Sequence, residues 1–139
     1  MYKEEFIRRM IGKPWVNRAA SWSEVDCWGL AILYSRHVLG IELPEVEGYK
    51  EGVPTNECWT KEVAKEHWED VEIAEGDLVF TCFKNGRATH VGVCIDSQRA
   101  LHCAGGEHGG SVAVHSLRAL ERLYGKMQFA RFRGYKCQS

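Results

Sequence analysis

Residues 26–40, "DCWGLAILYSRHVLG", constrain the fold more than any other stretch. Asp26 is a favoured N-cap and Gly40 a favoured stop, and between them Leu30, Ala31, Ile32, Leu33, Val38 and Leu39 cover most of the helix circumference. A helix apolar on nearly every side belongs at the centre of a domain, covered by other elements. The chain has 139 residues, 45% of them hydrophobic, which suits one such core, so a single domain over residues 1–139 is expected.

The elements around that helix change type along the chain. Phe6, Ile7, Met10 and Ile11 predict a short amphipathic helix over residues 2–11, stopped by Gly12 and Pro14. Pro44, Gly48, Gly52 and Pro54 mark a connecting loop over 41–55, and "TNECWTKEVAKEHWEDV" predicts a third helix capped by Thr55 or Asn56. From Asp77 the period shortens: "DLVFTCF", "THVGVCI", "ALHC" and "SVAVH" read as strands separated by "KNGR" and "DSQR", an antiparallel meander. A helical turn over 116–123 precedes a final strand in "QFARFRGY". Helices first and strands after give an α+β fold.

Charge excludes some functions. A formal charge of -1 with both signs intermixed offers no stripe for nucleic acid and no polybasic segment for a membrane. "MYKEEFIRRM" is too charged for a signal peptide, so the expected location is the cytoplasm at synthesis. The six cysteines are read as mostly free thiols in a reducing compartment, since a core of this size needs no staples.

Cys27 is the candidate nucleophile. A free thiol is only about 3% ionised at pH 7, and the amides at a helix start favour its anion, as would a histidine alongside. A buried cysteine at a helix start is more commonly a small hydrophobe, so a partner is required. His37 and His67 fall on solvated helical stretches and His108 in the loop "AGGEHGG". His90 and His102 flank one hairpin. A three-residue loop at Asp96, Ser97 and Gln98 pairs Ile95 with Arg99 and sets His102 opposite Gly92, with His90 a diagonal neighbour about 7 to 8 Å away on the same face. A two-residue turn would send the rings to opposite faces. The three-residue loop asks Gln98 to take a left-handed conformation, and Gly92 leaves room for a ring or a substrate. A zinc site would draw on His90, His102, Cys103 and His108, but Cys103 alternates away from His102 and no metal-ligand spacing is present, so no metal and no cofactor are expected.

The motifs "GKPW", "DCWGL", "GDLVF", "THVGV" and "ALHC", in this order from about Gly12 to Tyr135, resemble the NlpC family of papain-like cell-wall cysteine peptidases. The resemblance implies a papain-like fold with the cysteine-bearing helix packed on an antiparallel sheet. It implies Cys27 as nucleophile, His90 as general base and His102 as the group orienting His90. The "PW" before "DCWGL" and the "LGIELP" after it look most like the branch found among tail-assembly proteins of tailed bacteriophages. The implied substrate is a peptidoglycan stem peptide, cut between D-glutamate and a diamino acid. The implied partners are phage tail proteins, and a place in the virion tail follows. Trp15 stands where better-known members have a tyrosine, Trp28 replaces the serine after the cysteine, and Arg18 and Ala19 replace a glycine pair. Trp15, Asp26 and Trp28 are the candidate substrate-binding residues, with Asp26 equally readable as a plain cap. Two other readings are carried: a structural tail-assembly component with weak or protein-directed activity, and an acyl-transferase using the same thioester.

Overall fold

Opposite charges at its two ends suit the first helix to its dipole: Glu4 and Glu5 in the first turn of α1 (Lys3–Met10), Arg8 and Arg9 in the last, with Phe6 and Met10 buried between. The computed structural model describes residues 1–46, 55–105 and 110–133. The central helix α2 (Cys27–Tyr34) buries Trp28, Gly29, Leu30, Ala31, Leu33 and Tyr34, as its all-round apolar pattern requires. It continues through a π-helical turn over Ser35–Leu39 to Gly40, whose φ of 70° ends it in the left-handed region. α3 (Thr55–Val63) lies beside it, and the sheet follows.

The strands are β1 (Trp68–Val71), β2 (Val79–Lys84), β3 (Arg87–Cys94), β4 (Arg99–Cys103), β5 (Val112–Ser116) and β6 (Lys126–Phe132). All pairings are antiparallel, in the order β1-β6-β2-β3-β4-β5. The meander expected from Asp77 onward is β2 to β5. β6 then returns along the other edge of β2, and β1 closes that side. α4 (Leu117–Tyr124), capped by Ser116 through the Ala119 amide, connects β5 to β6.

Strand alternation divides the interior in two. Val79, Val91, Val93 and Leu101 pack with α1, α2 and α3, while Leu78, Phe80, Cys82, Cys94 and Ala100 pack with Leu117 and Leu120 of α4. Tyr34 ties three elements together. Its ring meets Phe6 of α1 edge-on at 5.4 Å, and its hydroxyl donates to Asp77, which also pairs with Lys3 at 3.4 Å.

Two expectations are corrected. The third helix stops at Val63, and the end of its predicted stretch is β1, paired with β6 through Trp68↔Phe132. Burial of Trp68 against Trp59 and Phe132, each at 5.4 Å, outweighs local helical spacing there. The β3–β4 hairpin has the predicted register, with Val93↔Leu101 and Cys94↔Ala100, but Gln98 has no positive φ. Asp96 shapes the turn instead, its Oδ1 accepting from the amides of Gln98 and Arg99, both at 2.8 Å.

Cys27, Cys58, Cys82, Cys94 and Cys103 are free thiols, and Cys137 lies outside the described residues. So do residues 47–54 of the connecting loop, including Gly48, Gly52 and Pro54, and so does His108. Among the described residues no helix is long and apolar enough to cross a membrane.

Candidate active site

Asp26 builds the start of α2. Its Oδ1 accepts from the Gly29 amide at 2.6 Å and its Oδ2 from the Arg18 amide at 2.7 Å, so one buried carboxylate caps the helix and holds the preceding loop. Gly29 lets the loop approach. A Cβ there would lie 1.9 Å from the Ala19 carbonyl oxygen. The loop also carries Trp15, half-buried, whose amide donates to the Gly110 carbonyl at 2.8 Å and whose indole packs against Gly105.

Cys27 is the first residue of α2 and half-buried. Its thiol is pushed up to about 12, first by burial and second by the adjacent Asp26 carboxylate, with Cys103 adding to the rise. The amides of Trp28 and of Cys27 itself pull the other way, favouring a negative charge at Sγ without overcoming the burial. The helix start favours the anion as the sequence suggests, but desolvation and Asp26 outweigh it.

The histidines meet as the hairpin register requires. His90 Nε2 and His102 Nδ1 are 2.9 Å apart, both side chains being buried. Burial, and after it the neighbouring His102, lower His90 to about 3, and burial with His115 lowers His102 to about 4. Both are neutral near pH 7, so a hydrogen bond between them needs an N–H on one and a lone pair on the other. The space that Gly92 frees is taken by Phe80, since a Cβ there would lie 2.6 Å from its ring, and Phe80 in turn flanks His90 at 5.9 Å.

Two residues that sequence reasoning did not single out complete the surroundings. His115 on β5 has Nδ1 2.6 Å from His102 Nε2. Tyr124, the last residue of α4, stacks on the His90 ring at 4.3 Å and 31°, held there by a hydrogen bond from the Thr89 hydroxyl to its carbonyl oxygen. Burial is the first cause that raises the Tyr124 hydroxyl above its ordinary value. Among the described residues no hydrogen bond joins Cys27 Sγ to His90, and such bonds commonly tighten only when substrate arrives.

Trp28 points into the core. It is 2% exposed and packs on Trp59 at 4.0 Å and Trp68 at 6.2 Å, while its edge lines a cavity of about 330 Å³ with Arg18, Ile32, Arg36, Leu43 and Pro44. Cys103 donates to the Val25 carbonyl at 3.7 Å within the α2 side of the core, apart from the histidines.

The chain and its fold are similar to those of known proteins. The crystal structure of the NlpC/p60 domain of the peptidoglycan hydrolase SagA superposes with a TM-score of 0.59 at 20% identity, covering 91% of this chain and 92% of that one. The tail tip assembly protein K of Escherichia phage N15 is 29% identical over 96 residues, 64% of this chain but only 39% of that protein's length. The profile of the NlpC/P60 family matches residues 12–128, which includes Cys27, His90, His102 and His115, and the chain belongs to the NlpC/P60 family.

Proposed function

We propose that the protein is a cysteine hydrolase that cuts peptidoglycan stem peptides, between D-glutamate and a diamino acid, in the service of a phage tail. The observation that carries this reading is the buried His90–His102 pair, assembled on the sheet by the hairpin register, in a chain of the NlpC/P60 family with the Cys27 thiol at the start of α2. The likeness to a tail tip assembly protein supports the phage setting, and the likeness to a peptidoglycan hydrolase supports the cell-wall substrate.

The pair begins uncharged. As Cys27 Sγ attacks the amide carbonyl carbon, its proton passes to His90 Nδ1, a carbon–sulfur bond forms and the carbonyl oxygen becomes an oxyanion. The Trp28 and Cys27 amides already favour negative charge at this helix start, and donors so placed are worth roughly 3–4 kcal/mol to the oxyanion. His90 returns the proton to the leaving amine as the carbon–nitrogen bond breaks. Water then gives a proton to His90 and attacks the thioester, the carbon–sulfur bond breaks, and Sγ recovers its proton. His102 holds the His90 ring throughout, and of the three candidate substrate-binding residues Trp15 is the half-buried one, whereas Asp26 is buried as the helix cap and Trp28 is buried in the core.

Digestion of purified stem peptides followed by mass spectrometry tests the reading. Cys27→Ala should reduce turnover at least about a thousandfold, and His90→Ala comparably, with new amino termini on the diamino acid in the wild type. Tail assembly supported equally by wild type and Cys27→Ala, with no peptide cut, would establish the structural reading instead. Transfer of the acyl group to an added amine would establish the acyl-transferase.

A further inference from the structure

We propose that His115 is a positioning residue: its imidazole fixes the tautomer of His102, and through it the tautomer of His90 that can receive a proton from Cys27. The inference rests on the reading of His90 as general base.

The three rings are joined head to tail. His90 Nε2 faces His102 Nδ1 at 2.9 Å, and His102 Nε2 faces His115 Nδ1 at 2.6 Å. The strand register explains the repetition, because His102 opposes Ala113 and His115 opposes Ala100, a diagonal across β4 and β5 like that of His90 and His102 across β3 and β4. A neutral imidazole has one N–H and one lone pair, so a chain of this kind admits only two arrangements, with every proton on Nε2 or every proton on Nδ1. In the first, His90 Nδ1 is bare and can act as a base. In the second it carries a proton and cannot.

His115 is exposed, whereas the other two rings are buried. A solvated neutral histidine favours the proton on Nε2, which leaves its Nδ1 lone pair facing His102. His102 then donates from Nε2 and accepts at Nδ1, and His90 is held with Nε2–H and a bare Nδ1. Without an acceptor at position 115, the buried His102 can reverse its tautomer and give its Nδ1 proton to His90 Nε2. That reversal removes the base.

The experiment compares His115→Ala with His115→Asn in the full chain, using ring nitrogen NMR and steady-state cleavage of stem peptides. Asparagine places an acceptor oxygen near the position of Nδ1, so it should keep the wild-type tautomers and most of kcat. Alanine should shift His90 predominantly to the Nδ1–H tautomer and lower kcat about ten- to hundredfold with KM unchanged, the loss expected when roughly nine-tenths or more of His90 is held in the inactive form. A His115→Ala protein with wild-type kcat and a bare His90 Nδ1 would overturn the inference. So would equal loss in both variants with unchanged tautomers, which marks a purely structural role. Were His115→Ala to unfold, His115→Asn and the wild-type spectrum carry the test. Cleavage that survives Cys27→Ala, or is absent from the wild type, would sink the hydrolase reading alone, because the ring spectra decide the tautomer without turnover.

Discussion

At the scale of single residues, the thiol and the imidazole are both stored uncharged. His90 is lowered to about 3 and Cys27 raised to about 12, so kcat/KM should be flat between those values and fall outside them, which a pH profile of stem-peptide cleavage would show. Alkylation of Cys27 by iodoacetamide should be slow at pH 7 and keep rising in alkali, and a plateau near neutrality would contradict the neutral pair. The histidines also bear on stability. The unfolded chain binds protons at His90 and His102 near pH 6.5, while the folded chain binds them only near 3 and 4, so stability is intact above 6.5 and declines as the pH falls through that window. Urea titrations at a series of pH values measure that slope. Gly29 is closed to any larger residue. Gly29→Ala drives a methyl into the Ala19 carbonyl and should cost about 1–3 kcal/mol or more of stability in the same titrations.

Among the elements, the β3–β4 hairpin carries the site because it sets which face both imidazoles share. Its register was legible, since Asp96-Ser97-Gln98 is a plausible turn and the alternation on either side admits one pairing that keeps the histidines together. The turn's mechanism was less so: the expected strain at Gln98 gives way to the Asp96 side chain bonding two amides. Asp96→Ala should therefore lose about 1 kcal/mol of stability and speed amide exchange at Ile95, whose N–H bonds the Arg99 carbonyl. His115 could not be placed from sequence, because the glycine-rich stretch 104–110 between β4 and β5 fixes no register. β1 was hidden for another reason. No glycine or proline separates Val63 from Trp68, and the strand exists through pairing with β6, sixty-odd residues on, which local periodicity cannot report.

The molecule as a whole is held by aromatic residues that span its layers. Trp59 packs on Trp28 and Trp68 and donates from Nε1 to Thr81 Oγ1 at 2.5 Å, joining α3, α2, β1 and β2. Trp59→Ala should cost about 3–5 kcal/mol by thermal or chemical denaturation while leaving Cys27, His90 and His102 in the sequence. The α+β architecture and central helix were legible because they depend on composition and period; the state of the thiol was not, because it depends on what surrounds it after folding. That state has a consequence for durability. Peroxide attacks thiolates, not thiols, and Cys27, Cys82 and Cys94 are held up to about 12 and Cys103 to about 11. The proposed nucleophile, kept protonated until substrate arrives, escapes conversion to sulfenic acid, so on this reading the protein waits in air without losing the sulfur it would use.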